Sequence, residues 1–459
     1  MTSPASSVIV VGSGLAGLAA ASQLVAHNVS VYLLERMAKP GGNSIKASSG
    51  ISGAPTRFQP VQDDLFYDDT LRSAGSALAT VRGLRENLIS TLTSTSNDAI
   101  AWLVDEKGID LSKVAQLGGH SLPRTHRGTG PIPPGAAIVT TLLKSLQTSP
   151  LFQLHASSTV TRVLKADEEV VGVEYTQEGE TKQIHGPVIF ASGGFAGDAE
   201  GMLAQYVPEL KGFPSTNDPR PGTQTLLTQV GAQLLDMELV QVHPTGFVDP
   251  KASSSSLKFL AAEVLRGEGG ILLLDGKRFV NEMETRQIVT GAILRTPSAD
   301  SSPRQWDVQL LLDEGTYNAA KSHVDFYIFK GLMRKTSVGE LGPQAVTVIQ
   351  EYADTAAGSL DDPFERVTFG NWNLKTVTVD SVVYVGRVTP VVHFTMGGVV
   401  INEKSEVLDG DNKPIKGLWA AGEVTGGIHG VNRLGGSSLL ECVVFGRIAG
   451  DEAARYCRQ

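Results

Sequence analysis

The sequence predicts an α/β protein organised around a Rossmann-like nucleotide-binding domain, and three observations carry that reading. Between Val8 and Arg36 the chain passes through an apolar β-type run (Val8 to Val11), the turn Gly12-Ser-Gly14-Leu15-Ala16-Gly17, an Ala/Leu-rich helical run, a second apolar run (Val29 to Leu34) and the acid Glu35. This is one βαβ unit with a dinucleotide fingerprint. Much later, a buried-type strand at Val188 to Phe190 ends in the pair Gly193-Gly194. With 459 residues the chain is too long for one ordinary core, so two domains of moderate size are expected.

Each glycine of the fingerprint has a mechanical task. Gly12 permits the tight turn, Gly14 lets the backbone approach a pyrophosphate, and Gly17 lets the helix pack close to the strand. The pyrophosphate then rests on the helix N-terminus, where unpaired N–H groups and the dipole favour an anion. Glu35 follows the glycines at roughly the twenty-residue distance that places an acid on a ribose.

Composition narrows the class. Basic residues number 39 and acidic residues 48, a net charge of −9 with no basic run, which argues against a nucleic-acid partner. Apolar runs such as Val8 to Val11 and Ile271 to Leu274 fall well short of the roughly eighteen residues of a membrane span, so a soluble protein without a membrane partner is expected. Only Cys442 and Cys457 occur, too few for a disulfide framework or a CxxC metal site, and this points to a reducing compartment. The segment Met1 to Ser7 meets the first strand with no room for a leader, so the expected location is cytoplasmic, with a mitochondrial one left open.

After Glu35 come Lys39-Pro-Gly41-Gly42-Asn43-Ser44 and Ala47-Ser48-Ser49-Gly50, two loops that offer backbone amides to a phosphate and a flat ring. Leu84 to Thr91 and Ala99 to Lys107 read as helices, the second capped by Ser96 or Asn97. The polar loop Gly118 to Gly128, with His120, Arg124, His126 and Arg127, reads as surface. Phe152 to Ala156, Val160 to Leu164 and Val170 to Tyr175 read as a small antiparallel unit. From about Met237 the character changes: Gln241-Val-His243-Pro-Thr, Glu263-Val-Leu-Arg266-Gly, Gly276-Lys-Arg-Phe-Val-Asn-Glu-Met-Glu-Thr-Arg286, Val392-His393-Phe-Thr-Met-Gly, and a glycine-rich stretch from Ala421-Gly-Glu423 through Asn432-Arg433 to Ser438-Leu439.

In this order, these motifs resemble the flavoprotein family of fumarate reductases and succinate dehydrogenase flavoprotein subunits over nearly the whole chain, most of all the soluble yeast-type enzymes, which carry a segment similar to that around His120. The resemblance implies a Rossmann-like FAD-binding domain with an inserted α+β capping domain: 1–237 and 395–459 bind FAD, and 238–394 form the cap. It implies that FAD is held by Gly12, Gly14, Leu15, Ala16, Gly17, Glu35, Arg36, Gly41, Gly42, Asn43, Ser44, Ser48, Ser49, Gly50, Gly193, Gly194, Glu423, Ser438 and Leu439, with no metal. Attachment is expected to be non-covalent, because Asn43-Ser44 stands where membrane-bound relatives show a His-Thr pair.

If His243, Glu263, Arg266, Arg286, His393 and Arg433 converge, an acidic protein has gathered guanidiniums and imidazoles around one carboxylate, a pocket suited to a small dianion. A neutral alkene accepts hydride only if the charge on the adjacent carbon is delocalised, and a polarised carboxylate does that. The resemblance implies that Arg433, His393 and His243 hold the two carboxylates of fumarate while Arg286 donates the proton and Glu263 and Arg266 return it. An electrostatic Arg286 with water as the acid is the other reading, since a free guanidinium has a pKa above about 12.

The chain also departs from the family. Asn217 to Thr225 has no acid at the place where relatives show one, Gln287 replaces the acid after Arg286, Ala262 stands where bacterial relatives often have Thr, and no CxxCH haem site occurs. The expected donor is therefore a small soluble one such as free reduced flavin, and the expected state a monomer. Urocanate or 3-ketosteroid chemistry on the same fold, and a non-catalytic flavoprotein, are the competing readings. His243, Arg286, His393 and Arg433 together speak against the first two, and the departures at Gln287 and Pro221 are the evidence for the third.

Overall fold

The computed structural model describes residues 7–458. The expectation drawn from the N-terminal segment lies, but for Ser7, outside the described residues.

The sheet that carries the nucleotide fingerprint is parallel at its centre. Phe152–His155, Ser30–Leu34, Ser7–Val11, Val188–Phe190 and Pro414–Ala420 lie side by side in that order. Ile9 faces Val188 and Tyr32, and Val188 faces Leu418, so three distant pieces of sequence form one layer. Val8, Ile9 and Val10 are fully buried, as a parallel strand covered on both faces requires, and this is why the run is continuously apolar rather than alternating. The helices Leu15–Ala26 and Ser437–Tyr456 pack against each other on this sheet. A Cβ on Gly446 would lie 2.5 Å from the Ala16 carbonyl oxygen, and one on Gly450 would lie 2.6 Å from that of Ala20. The close approach ties the C-terminal helix to the fingerprint helix, and with it the two ends of the site.

Two local expectations are corrected. Phe152–His155 does not join the antiparallel unit; it extends the parallel sheet beside Ser30–Leu34, and the antiparallel unit consists of Ser158–Ala166, Glu169–Gln177 and Glu180–His185. The charged last strand has alternate residues exposed and was hidden by its polarity. The second predicted helix begins at Ser96 after Thr95, turns π-helical over Trp102–Glu106, and has no side-chain cap; the Ser96 hydroxyl instead donates to the carbonyls of Thr93 and Ala54.

A separate five-stranded antiparallel sheet contains Val240–Phe247, Val382–Thr395, Val308–Leu312 and Ile271–Leu274, with Arg334–Ser337 paired to the long second strand. It packs its own core with the helices Arg286–Leu294 and Lys321–Lys330 on one side, through Val289, Ile293, Val324 and Tyr327, and Ala345–Ala356 on the other through Ile349 and Tyr352. The molecule is thus a Rossmann-like layer carrying an inserted α+β cap.

The long strand Val382–Thr395 positions the chemistry. It runs antiparallel to Val240–Phe247, with Gln241 opposite Phe394 and His243 opposite Val391. The ladder is irregular on both sides of His243, where Pro244 removes a backbone donor. Such a bulge re-aims a side chain. It brings the His243 and His393 rings to 5.3 Å, centre to centre.

Candidate active site

A cavity of about 1480 Å³ runs from the fingerprint to the cap strands. It exceeds the several hundred Å³ of an ordinary small-ligand pocket and has room for a dinucleotide. Gly12, at φ +106, would place a Cβ 2.4 Å from the Ala191 carbonyl oxygen, and a Cβ on Gly17 would lie 2.0 Å from the Gly12 oxygen. Above Gly14 only the Ser44 hydroxyl comes near, at 3.5 Å, so this backbone is open to a phosphate. Ser44 caps the helix from outside, its hydroxyl accepting from the Leu15 N–H at 3.1 Å. The Glu35 carboxylate accepts from the Ser13 N–H at 3.0 Å, the Ser13 hydroxyl at 2.5 Å and the Met37 N–H at 2.8 Å. That fixes it at the strand end, facing the cavity.

Gly12, Gly14, Leu15, Ala16, Glu35, Arg36, Gly42, Asn43, Ser44, Ser48, Ser49, Gly50, Gly193, Glu423, Ser438 and Leu439 all line this cavity. Gly17, Gly41 and Gly194 do not. Gly17 sits behind Gly12, the Gly41 N–H donates to the Ser13 hydroxyl, and Gly194 packs where a Cβ would strike Thr395 and Glu423. Burial pushes the Glu423 carboxyl up to about 7, although it accepts from the Thr395 N–H. The helix Ser437–Tyr456 opens at Gly436, φ +82, without a side-chain cap, so its first N–H groups have no side-chain acceptor at the cavity wall.

At the inner end, Arg286, His393 and Arg433 line the cavity, and His243, Glu263 and Arg266 stand behind them. Arg286 reaches one Glu263 oxygen through Nε at 2.6 Å and Nη2 at 2.5 Å, and its Nη1 donates to Gln241 Oε1 at 2.8 Å. Arg266 lies 3.5 Å from the other Glu263 oxygen and donates to the Glu282 carbonyl, while its Nε and Nη2 have no hydrogen-bond partner. Glu263 is held below the usual carboxylate range by Arg286 and Arg266, which together outweigh its burial. Arg266 is lowered by burial first and by Arg286 and Arg366 after it.

Burial, reinforced by Arg286, holds both His243 and His393 well below 6.5, so both imidazoles are neutral at neutral pH. His243 Nδ1 accepts from the Thr245 N–H at 3.2 Å, which leaves the proton on Nε2, an unpartnered donor 3.9 Å from Glu263. His393 Nδ1 meets the Thr216 hydroxyl at 2.9 Å. Arg433 is lowered to about 9, chiefly by burial and then by Arg286, and makes one long hydrogen bond, to the Leu434 carbonyl at 3.3 Å.

The loop expected at the surface is buried instead. Arg124 is fully buried between Asp63 and Asp69, and its Nη1 donates to His120 Nδ1 at 3.0 Å. His120 Nε2 therefore carries the proton and donates to the Gly435 carbonyl at 2.9 Å, bracing the loop that presents Arg433 and the following helix. A histidine so engaged, lowered to about 4, is a brace and not a proton donor.

Sequence reasoning missed Ser13, Thr216, Gln241, Thr245 and Phe394. Ser13, Gln241 and Thr245 lie inside motifs already singled out, and their neighbours' partners required them. Thr216 carries no local signal, and Phe394, though inside the motif that follows Val392, is an apolar strand residue with no signal of its own.

A nucleotide cradle joined to a cationic clamp suits a flavin-dependent oxidoreductase, and comparison with known proteins gives the same class. Residues 7–439 match the FAD binding domain family. The chain is 45% identical to Fumarate reductase 1 of Saccharomyces cerevisiae, covering 98% of both, and 39% identical to the fumarate reductase of Schizosaccharomyces pombe, covering 97% of this chain and 89% of the relative. The open conformation of a flavocytochrome c3 fumarate reductase superposes with a TM-score of 0.75 at 31% identity, covering 100% of this chain and 79% of that one. The chain belongs to the FAD-dependent fumarate reductase family. Among the described residues no helix is long and apolar enough to cross a membrane.

Proposed function

We propose that this protein reduces fumarate to succinate, with Arg433, His243 and His393 binding the two carboxylates and Arg286 supplying the proton. The observation that carries the assignment is the convergence of these four side chains, from four separated segments, at one end of the nucleotide cavity around the single carboxylate Glu263. The residues present fit FAD: the open backbone over Gly14, the fixed Glu35 and the uncapped Gly436 helix end match its pyrophosphate, ribose and ring. When bound, FAD supplies hydride to one alkene carbon.

The chain's own residues do the rest. Arg433 neutralises one carboxylate, and the neutral Nε2–H of His243 donates without adding a charge beside Arg286. Arg286, fixed from two sides by Glu263 and Gln241, gives a proton to the second carbon. Glu263 bridges Arg286 to Arg266 and is placed to restore it. Burial of all three keeps water from the developing carbanion.

Boundaries at 237/238 and 394/395 are supported by the entry and exit of the cap strands near them, at Val240 and Thr395. The low cysteine content, two in 459 residues, supports a reducing, cytoplasmic compartment. The donor we infer is a small soluble reductant such as free reduced flavin, serving a monomer.

Turnover with reduced viologen tests the assignment: fumarate is reduced, whereas urocanate and a 3-ketosteroid are not. An FAD-loaded protein inert to fumarate overturns it. The purified protein is expected to be yellow and to release about one FAD per chain on denaturation; flavin that stays on the polypeptide would contradict non-covalent binding. Replacing Arg433 by Ala weakens binding of a non-reacting dicarboxylate by roughly ten- to a hundredfold, as loss of a charge-assisted contact of about 1.5 to 3 kcal/mol demands. Isothermal titration reads this directly.

A further inference from the structure

Arg433 poses a problem of orientation. Its guanidinium is buried, its Nε has no partner, its one hydrogen bond among the described residues runs to the carbonyl of the next residue at 3.3 Å, and no carboxylate lies within ion-pair distance of it among those residues. Arg286, by contrast, is fixed by Glu263 and Gln241. A long side chain that must meet a carboxylate in one geometry loses affinity if it has to be ordered by the substrate.

The missing restraint is an aromatic face. The Arg433 guanidinium carbon lies 4.2 Å from the centroid of the Phe394 ring, well within cation–π range. Phe394 is 4% exposed and sits between the guanidinium and the His429 ring, whose centroid is 5.8 Å away at 75°, an edge-on contact. His429 is fixed in turn by a 2.6 Å hydrogen bond between its Nε2 and the buried Glu441 carboxylate on the C-terminal helix. The ring cannot tilt away without breaking that packing. The strand register supplies the rest: Phe394 pairs with Gln241, whose Nε2 donates to the Arg433 carbonyl at 2.8 Å, so backbone and side chain of Arg433 are held by partners facing each other across one ladder.

We propose that Phe394 is a positioning residue for the dicarboxylate, presenting its π face to Arg433 and, braced by His429 and Glu441, holding the guanidinium in its binding geometry before substrate arrives. The inference rests on the assignment of Arg433 as a carboxylate ligand. It separates Phe394 from an ordinary core phenylalanine, because only the positioning role depends on the electron density of the ring.

The test uses the FAD-loaded enzyme and a non-reacting dicarboxylate, with turnover of fumarate in parallel. Phe394→Leu is expected to raise the dissociation constant and KM about tenfold while kcat falls less than threefold, and Phe394→Tyr, which keeps the face, is expected to stay within threefold of wild type in both. Fluorinated phenylalanines placed at 394 alone keep shape and burial while draining the ring, so they remain informative if the leucine variant loses FAD. Affinity is expected to fall stepwise with each added fluorine. A flat series, or a tyrosine variant as impaired as the leucine one, overturns the proposal. Phe394→Leu with lost kcat at unchanged KM also overturns it. If wild-type enzyme binds no dicarboxylate, it is the fumarate assignment that has failed, a result separate from all of these.

Discussion

Replacing Arg286 by Ala is expected to leave FAD bound and reducible by an artificial donor while abolishing fumarate reduction. The nucleotide end of the cavity is built by glycines and by Ser13, Glu35 and Ser44, none of which hydrogen-bonds to Arg286. The guanidinium instead contacts Glu263 and Gln241, so its removal strikes the proton route and not the nucleotide cradle. It also leaves Glu263 buried with Arg266 at 3.5 Å as its nearest cation, and a stripped buried pair costs about 3 to 5 kcal/mol of stability. Thermal unfolding must therefore accompany the kinetics. Arg286→Lys separates charge from geometry: lysine can donate a proton but is shorter and cannot make the forked contact with Glu263. Measurable activity is expected for Lys where Ala shows none. If the alanine variant keeps more than about a tenth of wild-type turnover, a barrier change under roughly 1.4 kcal/mol, Arg286 is not the acid. His120 is then excluded as the replacement, because its Nε2–H is committed to the Gly435 carbonyl, which leaves the unpartnered His243 Nε2–H or a bound water as the donor.

The same residues show what a sequence can and cannot carry. The fingerprint was legible because each glycine answers a backbone requirement that acts within a few residues: Gly12 needs φ +106, and Gly17 leaves no room for a methyl group. The parallel strands were legible because burial on both faces forces continuous apolar runs. The clamp was legible only as separated motifs, since His243 and His393 become neighbours through a strand pairing about 150 residues apart in the chain and a bulge at Pro244. The loop from His120 to Arg127 was misjudged for a physical reason. Four ionisable groups in a row read as solvated unless their counter-charges are known, and the acids that permit burial, Asp63, Asp69 and Glu268, lie far away in sequence. Phe394 could not be recognised at all, because an apolar residue in a strand says nothing about which cation it faces.

Acidification below pH 6.5 is expected to destabilise the holoprotein steeply, before its carboxylates titrate. Burial lowers His120 and His126 to about 4, and burial aided by Arg286 holds His243 and His393 well below 6.5. His120 is locked neutral by its partner, its Nδ1 accepting from Arg124, whereas His126, with one nitrogen on the Arg124 carbonyl and the other against the Thr56 hydroxyl, is kept neutral by burial. In the unfolded chain all four regain a value near 6.5. Between pH 6.5 and about 4 the unfolded state thus binds protons that the native state refuses, so stability rises with pH across this window and is complete above it. At pH 5 His120 and His126 each contribute a loss on the order of 2 kcal/mol, a large share of the roughly 5 to 15 kcal/mol that holds a typical domain together. Denaturant unfolding at pH 7.5, 6.5, 5.5 and 4.5 reads the slope. The paired carboxylates behave in the opposite range. Asp63 and Asp69, lowered by Arg124 and Ser121 against their burial, support the fold until pH falls well below the ordinary carboxylate value. A His126→Gln variant is expected to flatten the slope between pH 6.5 and 4.5 without moving the acid limb below it. A wild-type protein equally stable at pH 7.5 and 5 would show that these histidines are protonated in the native state, and Arg124 would then have to face an imidazolium across 3.0 Å.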